Sequence, residues 1–309
     1  MSVTLRQLTY FVALAEAGHF GRAAAQAHIS QPALSLQIKE LESQLQVPLV
    51  ERLPREIRLT RAGTEVLTRA RRILAEVDDL GQAVRWREGL SGRLHLGVIP
   101  TVAPYLLPAA LTRIRARDLT LELRVREAQT DALLDGLRAG QLDAALVALP
   151  VAADWFVTEP LFEDRFLLAG SDRRVKAWAE DVEQLRPTEL SADQLLLLEE
   201  GHCLADQALD VCGLTGRGQV DLGASSLSTL CGLVSEGFGL TLLPELAVRV
   251  EAAAFDRLAL ARFEAPEPSR HLALVRRASS SDDGWLHDLG ELFREAAEPL
   301  LMEARRACP

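Results

Sequence analysis

The 309-residue chain is 48% hydrophobic and 25% charged, a profile of two or three globular units that excludes a disordered or low-complexity polypeptide. The start, Met1-Ser2-Val3-Thr4-Leu5-Arg6, lacks the apolar run of a signal peptide, and no stretch of about 18 apolar residues exists to span a bilayer. The expectation is therefore a cytoplasmic protein with no membrane partner. The net charge of −10 argues against nucleic acid until it is mapped: residues 1–93 hold 13 basic and 10 acidic side chains, the remainder 21 and 34. A mildly basic head on an acidic body suits phosphate contact through one end only.

In chain order, Leu5, Leu8, Val12 and Ala15 recur at helical spacing and predict a first amphipathic helix. Gly18-His19-Phe20 breaks it, and Gly21 to Ala27 predicts a short helix whose alanines permit close helix–helix approach. After a turn at His28-Ile29, Ser30 suits the N-cap of a third helix with Pro32 in its first turn. Leu34, Ile38, Leu41 and Leu45 give that helix a buried stripe, and Gln31, Pro32, Ser35 and Lys39 a polar face. Two helices joined by a tight turn, the second opening with small polar groups, describe a helix-turn-helix able to reach base edges in double-stranded DNA. The basic run Glu51 to Thr60, with Arg52 and Arg55, suits a hairpin wing along the phosphates. A helical packing unit without a ligand is the lesser alternative that spacing alone leaves open.

Val66, Ala70, Ile73, Val77, Leu80 and Val84 are spaced as a heptad seam, narrower than the usual core-facing stripe, and favour pairing with a second chain over packing on the helix's own domain. Gly89-Leu90-Ser91-Gly92 ends that helix as a hinge. Beyond it, Leu94–Ile99, Leu121–Val125 and Ala144–Leu149 read as strands, with helices at Leu106–Arg115 and Asp131–Ala139 between them. Alternating strands and helices predict an α/β body with a parallel, doubly wound sheet. Phe166 opens a second such unit, including Leu195–Leu198, Thr229–Glu236 and Leu240–Pro244; Leu272–Val275 and a final helix from about Asp282 return to the first. The implied domains are 1–60, a linker helix 61–88, and a body 93–309 with lobe I at 93–165 and 269–303 and lobe II at 166–268.

The sharpest chemical feature is Gly201-His202-Cys203 through Cys212, in a chain with four cysteines. Leu204, Ala208 and Val211 place Cys203 at the start of a short helix and Cys212 at its end. Nine steps of about 1.5 Å hold their Cα atoms roughly 13 Å apart, beyond the roughly 7 Å that a disulfide tolerates, so the thiols join only if the segment refolds. Helix-start N–H groups and a protonated His202 favour the thiolate at Cys203, while an ionised Asp206 opposes it. Two passive buried thiols, or a metal set of His202, Cys203, Asp206 and Cys212, remain open on spacing alone. Cys231 reads as core and Cys308 as exposed and incidental.

The amino-terminal unit closely resembles LysR-type transcriptional regulators, through Leu8-Thr9-Tyr10-Phe11, Gly18 to Ala24, Ile29 to Ser35, Ile38 to Glu42, Val47 to Arg52 and Leu59 to Gly63. The resemblance implies a winged helix-turn-helix domain whose Ser30–Gln44 helix reads DNA, with Arg22, Ser30, Gln31, Pro32, Ser35, Lys39, Arg52 and Arg55 at the contact. It further implies dimerisation through the linker helix and an α/β two-lobed effector domain, periplasmic-binding-protein-like. Within that family the chain resembles the hydrogen-peroxide-sensing branch, through Ile99 to Pro108, Glu127 to Thr130, Glu200 to Ala208, Cys212, Gly239 to Pro244 and Pro266 to Arg270. One departure is Ala103, where glycine is usual.

By that resemblance Cys203 is the peroxidatic cysteine and Cys212 the resolving one, joined by a disulfide on oxidation. Thr101, Thr130, His202, Asp206 and Arg270 line the peroxide pocket, with no cofactor or metal. The implied protein is a homodimer or homotetramer that activates transcription in oxidative stress, working with RNA polymerase and reset by cellular thiol reductants; it is not an enzyme. A LysR-type regulator answering a small metabolite, with passive cysteines, is the alternative. A thiol peroxidase with an accessory helical domain is a third reading.

Overall fold

The computed structural model describes residues 3–52, 56–83, 93–117, 121–151, 155–181, 185–216, 224–280 and 284–308, so Arg55, Val84 and the Gly89–Gly92 hinge lie outside the described residues. The chain divides near residue 85 into two compact units.

The first unit contains α1 (Leu5–Ala17), α2 (Phe20–Gln26), α3 (Gln31–Leu45), β1 (Val50–Arg52), β2 (Ile57–Leu59) and α4 (Arg61–Ala83). Local sequence sets each boundary. Thr4 and Gln7 form a capping box at α1, His19 Nδ1 accepts from the Gly21 N–H, and Ser30 Oγ accepts from the Ala33 N–H at 3.3 Å. Leu34, Ile38 and Leu41 are buried as expected. The face of α1 is rotated from the expected one: Leu8, Phe11 and Leu14 are buried, while Leu5 is 44% exposed. Burying Phe11 and Leu14 removes more apolar surface from water than burying Leu5 and Ala15 would. β1 and β2 pair antiparallel as the wing, Val50 opposite Leu59. Along α4 the heptad seam divides its work. Val66 and Ala70 pack into the unit's own core, whereas Ile73 (45% exposed) and Val77 (39%) face outward; the side chain of Leu80 is not among those described.

The second unit runs β3 (Arg93–Val98), α5 (Ala103–Arg117), β4 (Glu122–Glu127), α6 (Thr130–Arg138), β5 (Ala144–Ala148), β6 (Phe156–Ser171), α7 (Asp172–Asp181), α8 (Cys203–Cys212), α9 (Leu227–Ser235), β7 (Leu240–Pro244), α10 (Glu245–Ala254), β8 (Leu258–Ala261), β9 (Ser269–Arg277) and α11 (Trp285–Ala307). Helix α5 starts at Ala103 rather than Leu106 and carries Pro108 in its interior. The strand order is β4-β3-β5-β9-β6-β7, with β8 also on β6.

This sheet corrects the expectation of a parallel, doubly wound one. Among the described strands only β3 pairs in parallel along a ladder, with β4 and β5, while Leu195 and Leu198 make single parallel bridges to Leu240 and Ala224; β9 returns from late in the chain and inserts antiparallel between β5 and β6. Phe166 does not open a new strand either. β6 is one strand of 16 residues whose first part, Phe156 to Arg165, pairs with β9 and whose second part, Phe166 to Ser171, serves β7 and β8. Pro160 disguised it, because proline removes a ladder donor; here the register shifts between Pro160 and Phe162, so the bulge accommodates the ring. The unit is two-lobed around one continuous apolar core, to which β6 and β9 are common. Among the described residues no helix is long and apolar enough to cross a membrane.

Candidate functional site

Because β3 and β4 are parallel neighbours, the residues that follow them emerge at the same edge of the sheet, where α/β folds hold ligands. Ile99, Pro100 and Thr101 follow β3, and Gln129 and Thr130 follow β4. Gly201, His202 and Cys203 come from the second lobe and complete a small, shallow cleft that opens to solvent.

The helix behind Cys203 is sharply delimited. Gly201 has φ +89°, a conformation that side chains resist, and His202 is the extended N-cap of α8. Gly213, with φ +65°, ends the helix in the left-handed conformation, its N–H donating to the Asp210 carbonyl. Leu204, Ala205, Ala208 and Cys212 form the buried face; Val211, expected there, is half-buried. Cys203 and Cys212 are the first and last residues of this ten-residue helix, and both are free thiols. The helical rise keeps them roughly 13 Å apart, so no bond joins them while α8 is intact.

The two threonines of the cleft are held differently. Thr101 is buried, and its Oγ1 accepts from Arg270 Nη1 at 2.8 Å while its carbonyl accepts from Nη2 at 3.2 Å. Arg270 is anchored in turn by Asp164, whose Oδ2 accepts from Nε at 3.0 Å and from Nη2 at 2.9 Å. Asp164 Oδ1 accepts from the Leu246 N–H at the start of α10. Burial pushes the Asp164 carboxyl up, opposed by the guanidinium charge and the amide bond. Thr130 Oγ1 is buried and has no hydrogen-bond partner among the described residues, an unfilled demand on the cleft wall.

Of the expected site residues, the cleft gathers Thr101, Thr130, His202 and Cys203. Arg270 stands behind Thr101 instead of lining the space, because its donors are taken by Thr101 and Asp164. Asp206 is exposed in the first turn of α8 and is not among the lining residues. Cys212 is 3% exposed, and burial pushes its thiol up to about 11. Cys231 is core, as expected, its thiol raised by burial and then by Glu251. Cys308 is half-buried rather than exposed, packed beside the core, and burial raises it too. Among the described residues no three His, Cys, Asp or Glu side chains gather as a metal-ligand set.

Two residues of this site went unrecognised in the sequence. Gln129 Nε2 donates to the Glu200 carbonyl at 3.2 Å, and the side chain lies so close to Gly201 that a Cβ there would meet Gln129 Oε1 at 2.5 Å. Its position beside Thr130 at a strand end was the available signal. Asp164 gave none: its partner Arg270 is 106 residues away, and the strand that carries it was not foreseen.

On the helix-turn-helix, Arg22, Ser30, Gln31, Pro32 and Lys39 are exposed and Ser35 is half-buried. Arg52 ties the wing to α3: Nη1 donates to Ser35 Oγ at 3.3 Å, and the guanidinium sits 4.9 Å from the Phe20 ring centroid.

A helix-turn-helix unit with a wing and a two-lobed α/β body define a one-component regulator, and comparison with known proteins gives its class. Residues 5–64 match the bacterial regulatory helix-turn-helix protein, lysR family, and residues 87–298 match the LysR substrate binding domain. The chain belongs to the LysR family. It is 43% identical over 300 residues to a probable hydrogen peroxide-inducible genes activator of Streptomyces viridosporus, covering 96% of this chain and 95% of that protein. Among solved structures it is similar to a full-length OxyR variant of Pseudomonas aeruginosa, with 33% identity, a TM-score of 0.75, and 95% and 98% of the two chains covered. It is also similar to an OxyR mutant of Corynebacterium glutamicum in an H2O2-bound form, with 34% identity, a TM-score of 0.63, and 99% and 98% covered. The resemblance to the peroxide-sensing branch is thus borne out.

Proposed function

We propose that this chain is a cytoplasmic, hydrogen-peroxide-sensing transcriptional regulator whose switch is a Cys203–Cys212 disulfide. The observation that carries the reading is the placement of one accessible thiol, at the mouth of a cleft with two threonine hydroxyls, on the first residue of a helix whose last residue is a buried thiol. The cleft is too small to enclose a metabolite, for which pockets run to roughly 300–1,000 Å³. This weighs against the metabolite-responsive alternative.

In the first step the Cys203 thiolate attacks one peroxide oxygen, the O–O bond breaks, and the other oxygen leaves as hydroxide, which a proton converts to water. Cys203 becomes a sulfenic acid. Thr101 and Thr130 hydroxyls orient the two oxygens. In the second step α8 unwinds, the Cys212 sulfur attacks the Cys203 sulfur, and water leaves with the formation of a disulfide. A cellular dithiol returns both thiols by exchange and is itself oxidised. One peroxide is consumed per switching event, which is the stoichiometry of a sensor rather than an enzyme.

The output is the winged helix-turn-helix. Gln31, Pro32, Ser35 and Lys39 face the major groove of double-stranded DNA, with Arg22 and Arg52 toward the phosphates. Ile73 and Val77, exposed on α4, supply an apolar strip for a second copy, and a homodimer or homotetramer then places paired recognition helices and contacts RNA polymerase as an activator. Domains at 1–60, 61–88 and 93–309 follow from this division of labour.

The test is non-reducing peptide mapping after brief exposure to low micromolar peroxide. A Cys203–Cys212 linkage that forms alongside altered promoter binding is expected. Thiols that stay unlinked while promoter binding responds to something else would sink the reading.

A further inference from the structure

The Asp164–Arg270 pair is wholly buried, with both side chains 0% exposed. A buried ion pair is a poor way to hold a core, since apolar groups of the same volume commonly serve as well or better. What this pair does that apolar groups cannot do is impose direction. Asp164 Oδ2 takes two guanidinium donors, Nε and Nη2, and so fixes the plane of Arg270. In that plane Nη1 reaches Thr101 Oγ1 at 2.8 Å, and Nη2 also reaches the Thr101 carbonyl. The Leu246 N–H on Oδ1 keeps the carboxylate itself from rotating.

A guanidinium only donates. A threonine oxygen that accepts from it must aim its own proton elsewhere, and Thr101 borders the cleft that holds Cys203. Across the same cleft Thr130 Oγ1 is buried with no partner among the described residues, free to accept or donate as the guest requires. The cleft therefore has one hydroxyl of preset polarity and one that adapts.

We propose that Asp164 is a positioning residue for the peroxide reaction: through Arg270 it locks Thr101 as a hydrogen-bond donor toward the peroxide oxygen that departs. This rests on the peroxide-sensing reading above. The departing oxygen gathers negative charge as the O–O bond breaks, so a donor already aimed at it lowers the barrier without reorganisation. Asp164 touches neither peroxide nor thiol.

The experiment is a double-mutant cycle on the full-length protein, with Asp164→Asn, Thr101→Val and the pair. Two rates are read for Cys203 in each: oxidation by hydrogen peroxide, and alkylation by iodoacetamide, which needs no donor on a departing oxygen. Asp164→Asn is expected to slow oxidation about tenfold while alkylation stays within about twofold, and the double variant is expected to be no slower than Thr101→Val alone. Multiplying effects in the double variant, or a parallel fall in alkylation, overturns the assignment and leaves Asp164 a structural residue. If Asp164→Asn does not fold by circular dichroism, Arg270→Lys replaces it in the cycle under the same criteria, because one ammonium cannot hold both Asp164 and Thr101 in the guanidinium geometry. The wild-type arm separates the two claims: if its Cys203 reacts with peroxide no faster than Cys308, the sensing reading itself fails and this inference falls with it.

Discussion

The two ends of α8 are built for opposite tasks. At the Cys203 end the chain enters through a left-handed glycine into a solvent-open cleft, whose wall is shared by residues of three segments. At the Cys212 end the thiol is 3% exposed and pushed up by desolvation, with Leu204, Ala205 and Ala208 on the same buried face. The contrast teaches that reactivity is assigned by position rather than by the thiol. One cysteine is offered to the oxidant; the other is withheld from it until the helix lets go.

Removing the offered thiol has the largest expected effect. Cys203→Ser abolishes the linkage and the peroxide-dependent change in promoter binding, with the thermal midpoint nearly unchanged; a response that survives would erase the distinction between the two ends. The withheld thiol makes a pH signature. The unfolded chain releases the Cys212 proton near 9 and the folded one near 11, so burial contributes stability in full below about pH 9 that is lost as pH rises toward 11. Wild type is therefore expected to lose about 2–3 kcal/mol relative to Cys212→Ala over that window, read from urea midpoints. An unchanged difference would mean that Cys212 is already solvated.

At the open end, Gly201→Ala combines a left-handed φ with a contact against Gln129, and about 1–2 kcal/mol of destabilisation is expected. Adding Gln129→Ala relieves the contact but not the backbone strain, so recovery should be partial; full recovery would assign the whole effect to packing. Arg52→Ala is expected to weaken promoter binding several-fold and lower the salt slope by about 1, while both thiols react at wild-type rates. A change in either thiol's rate would tie the wing to the switch.

Much of this was legible in residue spacing. Ser30, Leu34, Ile38 and Leu41 carry cap and stripe within one helix, and α8 announces itself between Gly201 and Gly213, because helices are written in local periodicity. The sheet was not, since β9 joins β5 and β6 across more than a hundred residues and no local pattern records which strand lies between which. The same limit governed the site. Cys203, Thr101 and Thr130 follow helix starts or strand ends and could be named. Asp164 acts only through a distant partner, and Arg270 was legible as a residue of the site but not as one set behind its wall.

The path of β6 bears on how a signal leaves the cleft. A jaw needs a loose joint, yet this strand passes from one lobe to the other as a single element, laddered on both sides of one bulge between Pro160 and Phe162. The lobes share a spine. Closing them about a guest would mean bending a laddered ribbon, whereas melting one ten-residue helix leaves every strand in register. The cleft is thus a fixed gauge, and the soft coordinate of the molecule is the helix mounted beside it.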